Sequence, residues 1–238
     1  VLSVLAIVPL AALLSHATES VAAKTGDSVG GLLNATLGNL TELIIALTAL
    51  RAGQYVLVKA SVAGAIVTNT LFMLGASFLL GGLKYHVQEY NRTSARTQAG
   101  MLFLATIALL IPSAVLEADS VGAEFGQTLS VGLAILLMLA YGLGMLFSLK
   151  THRELFTSAE HGEEVEAPWP LGLALATLAG VTLLVALVSE IFVESVQKAA
   201  ASFGMSPAFV GFIVVSLVGA AAEMASAFSA ARKNRLDL

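Results

Sequence analysis

The chain has 238 residues, of which 57% are hydrophobic and 12% are charged, and its formal net charge is −4. Soluble proteins carry about 25% charged residues, and a domain of this size needs a polar shell that this composition cannot supply. The mean hydropathy of +0.88 therefore indicates a lipid environment and excludes a cytosolic enzyme and a disordered chain. The acidic balance excludes a nucleic-acid-binding module, which needs a basic face. The absence of cysteine excludes disulfides and thiolate metal sites.

The chain begins at Val1, in a stretch that is already apolar and that lacks the charged start of a signal peptide. We therefore expect further sequence before Val1 and after Leu238.

Apolar runs of about 20 residues predict membrane-spanning helices. Strands of a membrane barrel would be about ten residues long and would alternate apolar with polar residues, so the predicted fold is all-α, a polytopic helical bundle. Nine of the twelve basic residues fall into loops on one side, which the positive-inside rule makes cytoplasmic. Seven spans are predicted, at residues 1–23, 29–50, 55–83, 97–116, 125–149, 167–200 and 207–231.

The spans indicate two halves of one membrane protein. Residues 1–150 form an N-terminal half, and residues 167–238 form the start of a C-terminal half. Residues 151–166 form an acidic cytoplasmic loop with five glutamates. This loop is either a solvated connector or a segment that regulates the protein or attracts cations.

Two glutamates lie deepest in the spans, where charge is otherwise nearly absent. A carboxylate at the bilayer centre costs about 2.5–3.5 kcal/mol on insertion scales, so each predicts a functional site. Gly30–Arg51 aligns with Gly211–Arg232 at an offset of 181, with six identities in 22 positions, and Glu42 falls on Glu223. The copies start from opposite sides of the membrane and run in opposite directions. Inverted repeats around a midplane site are typical of secondary transporters.

A glycine precedes each glutamate by four residues, Gly38 in the first repeat and Gly219 in the second. Because glycine weakens a helix and leaves its backbone open to approach, we expect each helix to be interrupted there. Glycine carbonyl and glutamate side chain would share one helix face. The glutamates lie about 20 and 24 Å into their helices at 1.5 Å per residue, so both reach the middle of the membrane.

Two carboxylates with loosened carbonyls form an all-oxygen site of the kind that Ca²⁺ prefers. No thiolate or histidine stands beside either glutamate in the sequence, so a soft metal is not expected. Protons can neutralise the same two carboxylates, and competition between a divalent cation and protons predicts an exchanger. The alternative is that each acid pairs with a neighbouring helix for packing.

The first repeat, Gly30–Ala46, reads GGLLNATLGNLTELIIA and resembles that of the Ca²⁺/H⁺ exchangers, the CAX branch of the calcium/cation antiporter superfamily. Similarity continues at Ala17–Glu19, Ser61–Gly82 and Val188–Glu190. The resemblance implies a bundle of about eleven helices with inverted repeats, of which this chain would carry seven, so it looks truncated. The first repeat would cover about residues 29–83 and the second about 207–232.

The resemblance also implies an antiporter that moves Ca²⁺ in exchange for H⁺ by alternating access, with no cofactor and no nucleic acid. We expect an integral protein of a prokaryotic inner membrane, or of a vacuolar membrane if the source is eukaryotic. A homo-oligomer is compatible with the sequence. The chain departs from the family pattern in its second repeat, where Ala220 and Met224 replace the usual Asn and His.

By resemblance, the cation would be held by two carboxylates, two glycine carbonyls and two amide side chains, and the carboxylates would also carry the protons. These residues are Glu42, Glu223, Gly38, Gly219, Asn39 and Asn69. For Asn69, an interhelical hydrogen bond is an equal alternative.

Five further polar residues are candidates for lining the two access paths: Glu19, Glu190, Glu194, Ser216 and His16. Acids near a helix end can also simply reach water, and a lone histidine is often a packing residue. A serine in a membrane helix commonly bonds its own backbone.

Three other classes compete with a proton-coupled exchanger. A Na⁺-coupled exchanger of the same fold would favour extra hydroxyl and Asp oxygens. The first repeat has Thr36, Thr41 and Thr48, whereas the second has Leu217, Ala222 and Ser229 at the equivalent positions, an asymmetry that disfavours several Na⁺ sites. A channel would use a ring of oligomer-related filter groups. An enzyme is not expected, because the HExxH and GxSxG motifs are absent.

Overall fold

The computed structural model describes residues 2–25, 27–88, 90–117, 123–152 and 168–234. Every regular element in this part of the chain is helical. The helices are α1 (Leu2–Thr25), α2 (Asp27–Leu37), α3 (Leu40–Arg51), α4 (Tyr55–Gly82), α5 (Arg92–Glu117), α6 (Ala123–Leu146), α7 (Leu171–Phe203), α8 (Pro207–Gly219) and α9 (Ala221–Arg232). The acidic loop predicted at 151–166 lies outside the described residues except for its first two positions.

Five helices are long and apolar enough to cross a membrane, namely α1, α4, α5, α6 with its continuation to Thr151, and α7. The bent pair α8–α9 makes a sixth candidate. The remaining predicted span, at 29–50, is made of α2 and α3, which have 11 and 12 residues. Each is too short to cross about 30 Å of hydrocarbon alone. The protein is therefore an integral membrane protein, and the predicted all-helical bundle is confirmed.

The described residues form two compact units. The first unit contains α1–α4 and α7–α9, and so both predicted repeats. The second unit contains α5 and α6, which pack against each other. The cation-site candidates all lie in the first unit.

The core of the first unit is built around α1 and α7, which pack along each other in opposite directions. Ile7 near the start of α1 clusters with Phe192 late in α7, and both are 0% exposed. Leu14 further along α1 clusters with Val181 and Val185 earlier in α7. Residues of α3 pack on both clusters, so this pair supports the first repeat.

A second helix pair, α4 with α8–α9, runs side by side in the same direction. A Cβ on Gly211 would lie 2.6 Å from the carbonyl oxygen of Leu57, and one on Gly64 would overlap the Phe212 carbonyl. At the far end, the side chains of Lys84 and Tyr85 donate to the carbonyl of Arg232, at 3.1 and 3.2 Å. Glycine lets these backbones approach, as is usual between membrane helices.

The connection from α7 to α8 shows why the second repeat begins where it does. Gly204 ends α7 with φ +66°, a left-handed conformation that glycine adopts without strain. Ser206 then caps α8, because its hydroxyl accepts from the Phe209 N–H at 3.1 Å. Pro207 occupies the first helical position, where its missing N–H costs nothing.

Candidate cation site

Both repeats are interrupted at equivalent positions, as the sequence predicts. α2 ends before Gly38 and α3 begins at Leu40, while α8 and α9 meet at Ala220 with a bend of 56°. Asn39 has φ −93° and ψ 20°, and Ala220 has φ −81° and ψ 9°. These two residues are 181 positions apart, which is the offset of the aligned repeats. The repeat is therefore visible in the backbone as well as in the sequence.

The glycines at the two breaks do not supply a special backbone conformation. The dihedral angles at both breaks lie in the bridge region, where φ is negative and glycine is not required. Among the described glycines, a positive φ occurs at Gly53 and Gly204, so neither Gly38 nor Gly219 supplies left-handed backbone. Gly219 instead provides space, because a Cβ there would lie 2.8 Å from Cγ of Glu42. The acid of one repeat thus packs against the break of the other.

Glu42 and Glu223 each lie in the first turn of the helix that follows a break. The first N–H groups of a helix have no intrahelical acceptor and attract negative charge. Glu42 packs against Gly219, which stands four residues before Glu223. The Oε2 atom of each is buried without a hydrogen-bond partner. A pair of carboxylates placed so requires a cation or protons for neutralisation.

Asn69 is a third residue with a buried side-chain oxygen that lacks a partner. It lies in a π-helical turn of α4, Thr68–Met73, which contacts α9, the helix that carries Glu223. Its Oδ1 atom is buried and has no hydrogen-bond partner, so the interhelical hydrogen bond expected as the alternative is not made by this oxygen.

No cluster of three or more His, Cys, Asp or Glu side chains occurs within the described ranges. A cation bound between Glu42 and Glu223 would therefore complete its shell with amide, carbonyl, hydroxyl or water oxygens. Such a donor set is the one that suits a hard divalent ion.

The Asn39 side chain does not join the buried oxygens of Glu42, Glu223 and Asn69. Its side chain is exposed, and it makes no capping hydrogen bond to α3 although it stands at the cap position.

The access-path candidates fall into different environments. Glu19 is half-buried and accepts a hydrogen bond from Ser15 at 3.0 Å. His16 packs edge to face on Trp169, with ring centroids 4.5 Å apart, which matches the packing alternative. Glu190 is exposed, and Glu194 forms an exposed ion pair with Lys198 at 2.6 Å.

Ser216 behaves as a serine in a membrane helix commonly does. Its hydroxyl donates to the carbonyl of Phe212, one turn earlier. It also lies 3.3 Å from the hydroxyl of Thr68 on α4.

Two hydroxyls that were not among the predicted site residues stand out by their burial. Thr18 on α1 and Ser189 on α7 are both 0% exposed, and the side-chain oxygen of each lacks a partner. Each directly precedes one of the acids Glu19 and Glu190. A hydroxyl beside an acid in an otherwise apolar helix is the signal that could have identified them.

The chain matches the model of the family described as sodium/calcium exchanger protein over residues 1–150 and 173–238. It is 42% identical to a Ca²⁺/H⁺ antiporter of Aphanothece halophytica, covering 98% of this chain and 67% of that protein. It is also 42% identical to the Ca²⁺/H⁺ antiporter ChaA of Bacillus subtilis, with the same coverages. A vacuolar cation/proton exchanger of Oryza sativa is 37% identical, covering 99% of this chain and 56% of that protein.

The fold matches a solved structure of native YfkE with a TM-score of 0.79 and 35% identity. The match covers 98% of this chain and 65% of that one, so the chain spans about two thirds of the relatives it resembles. The chain therefore belongs to the sodium/calcium exchanger protein family, and within it to the Ca²⁺/H⁺ exchanger branch that its first repeat resembles.

Proposed function

We propose that this protein is a secondary antiporter that moves Ca²⁺ across a membrane in exchange for H⁺ by alternating access. The observation that carries the proposal is the pair Glu42 and Glu223, which follow equivalent breaks in two repeats and each have an unpartnered buried oxygen. Relatives named as Ca²⁺/H⁺ antiporters and cation/proton exchangers support it.

Ca²⁺ takes 6–8 oxygen ligands. In the proposed bound state, Glu42 and Glu223 supply its charge compensation. The amide oxygen of Asn69 and the backbone carbonyls of Gly38 and Gly219 supply neutral ligands, and water completes the shell. Asn39 is retained in the proposal only as a group near the first break, because its side chain is exposed here.

Protons and Ca²⁺ are mutually exclusive at such a pair, because protonated carboxylates are poor ligands and Ca²⁺ displaces their protons. A neutral site can pass through an apolar barrier, whereas two bare carboxylates resist transfer from water. Exchange follows because the site can switch its access from one side of the membrane to the other when it holds either Ca²⁺ or protons. The empty site does not switch.

The access paths are proposed to run past Glu19 on one side of the site and past Glu190 and Glu194 on the other. Acids at the two mouths raise the local concentration of cations. His16 and Ser216 have lesser roles in this proposal, because one packs on Trp169 and the other bonds its own helix.

Sodium coupling in the same fold is the second candidate, and the family name includes sodium/calcium exchangers. The relatives named above as proton exchangers favour H⁺ instead. We expect a cell membrane in a prokaryote, or a vacuolar membrane in a eukaryote.

Ca²⁺ uptake into proteoliposomes of the full-length protein under an imposed pH gradient tests the proposal. We expect uptake that saturates with Ca²⁺, requires the gradient and collapses when a protonophore is added. Uptake driven by a Na⁺ gradient and indifferent to pH would assign the sodium-coupled alternative. Uptake that is linear in Ca²⁺ and needs no counter-gradient would assign a channel.

Gly219→Ala is expected to weaken Ca²⁺ binding about tenfold, because overpacking in a tight contact forces the neighbour off its position. The added Cβ would meet Cγ of Glu42 at 2.8 Å and displace that carboxylate. The apparent KM for Ca²⁺ in the proteoliposome assay measures the effect. Gly180→Ala in α7 is the matched control, since nothing lies within 4 Å of a Cβ there. Equal KM values for the two variants would contradict the contact between Gly219 and Glu42.

A further inference from the structure

A buried hydrogen bond joins α4 to α8 beside the cation site. It links the hydroxyl oxygens of Thr68 and Ser216 at 3.3 Å, and these residues are 7% and 3% exposed. Their positions are 148 apart, as are those of Gly64 and Phe212 one turn earlier, where the two backbones touch. The hydrogen bond and the glycine contact therefore hold the same parallel register.

The direction of this hydrogen bond follows from counting protons. Each hydroxyl has one proton to donate and lone pairs to accept with. Ser216 donates its proton to the carbonyl of Phe212, so its lone pairs face α4. Thr68 is then the donor to Ser216, and its side chain is held in one orientation.

Both partners lie within one helical turn of parts of the proposed cation site. Thr68 is the first residue of the π-helical turn, and Asn69 follows it. Ser216 precedes the break at Ala220 by four residues, and Ala220 in turn accepts from the N–H of Met224 in the turn that carries Glu223. π-helical turns within α-helices are frequent at functional sites, because they rotate the residues after them relative to a regular helix.

We propose that Thr68 and Ser216 are positioning residues of the cation site, whose hydrogen bond sets the register of α4 against α8. This register holds the Asn69 amide oxygen in the position, relative to the start of α9, that the cation requires. The inference rests on the proposed function, because it assigns a purpose to the geometry of that same site.

Asn69 depends on this register because its Oδ1 has no hydrogen bond of its own to hold it. The neighbouring hydroxyl of Thr70 offers no substitute, since it donates to the carbonyl of Ile66 within its own helix. Thr70 therefore provides a matched control on the same π-helical turn.

The test measures Ca²⁺ uptake driven by a pH gradient in proteoliposomes for the parent protein, Thr68→Val, Thr70→Val and Thr68→Ser. Removing one side-chain hydrogen bond that orients a ligand is expected to raise the apparent KM for Ca²⁺ about fivefold in Thr68→Val. The maximal rate is expected to change less than twofold, because the lost interaction acts on cation binding. Thr70→Val and Thr68→Ser are expected to keep the KM of the parent. Ser216→Ala is expected to reproduce Thr68→Val and supplies the result if that variant does not fold.

A second measurement separates positioning from a general effect on the fold. In an Asn69→Ala background, Thr68→Val is expected to cause no further rise in KM, because the ligand it positions is already gone. A full additional fivefold rise would overturn the proposal. So would a parent-like KM in both Thr68→Val and Ser216→Ala, or the same rise in Thr70→Val. Failure of the proposed function is distinct, because the parent itself would then show no proton-driven uptake.

Discussion

Glu223→Gln and Glu42→Gln are each expected to lower proton-driven Ca²⁺ uptake by at least about 100-fold, since ligand charge is a main determinant of Ca²⁺ affinity. Glutamine keeps the size of glutamate and one of its oxygens, but it has no negative charge and carries no exchangeable acid proton. Each variant would leave a single carboxylate to balance a divalent ion. Each variant would also remove one of the two carboxylates proposed to carry protons in the direction opposite to Ca²⁺.

The measurement is the initial rate of ⁴⁵Ca²⁺ uptake into proteoliposomes that contain equal amounts of folded protein. Glu124→Gln is the matched control, because Glu124 is an exposed acid at the start of α6 and outside the proposed site. It is expected to transport like the parent. Uptake at the parent rate in either Glu42→Gln or Glu223→Gln would refute the central pair. Equal loss in the control would show that the substitutions act through the fold.

Gly64→Ala is expected to destabilise the protein by about 1–3 kcal/mol, the usual cost of forcing extra atoms into a closely packed contact. The new Cβ would overlap the carbonyl of Phe212, and backbone atoms cannot move aside as a flexible side chain can. The two helices would have to separate along a contact that also holds the Thr68–Ser216 hydrogen bond.

Thermal unfolding in detergent, followed by the loss of monodisperse protein on size-exclusion chromatography, measures this effect. Gly75→Ala is the control in the same helix, since a Cβ at Gly75 meets nothing within 4 Å. It is expected to be neutral or to stabilise α4 by up to about 1 kcal/mol, because alanine favours a helix more than glycine does. Equal unfolding temperatures for the two variants would contradict the close approach of α4 and α8.

The sequence predicted the membrane class, the span positions and the two interrupted repeats, because these depend on local properties of the chain. Hydropathy over about 20 residues reflects the thickness of a bilayer. The offset of 181 that aligns Glu42 with Glu223 also aligns the two breaks, at Asn39 and Ala220. The backbone at both breaks is not left-handed, and the glycine before the second break leaves room for the Glu42 side chain.

The second predicted span shows where hydropathy overcounts unbroken helices. Residues 29–50 are apolar enough to suggest one span, yet they fold as α2 and α3 on either side of Gly38 and Asn39. Average hydropathy does not register a turn of two residues. The glycine before Glu42 was the sequence signal for that turn.

By itself, then, the sequence predicted a helical membrane protein with inverted repeats, and it showed that Glu42 and Glu223 occupy equivalent positions in the two repeats. Only the tertiary structure decided which atoms meet: Glu42 packs on Gly219, Thr68 bonds Ser216, and the Asn39 side chain stays exposed. The first two contacts join residues 177 and 148 positions apart. Periodicity and composition describe neighbours along one helix, whereas contacts between helices depend on how closely and at what angle the helices pack.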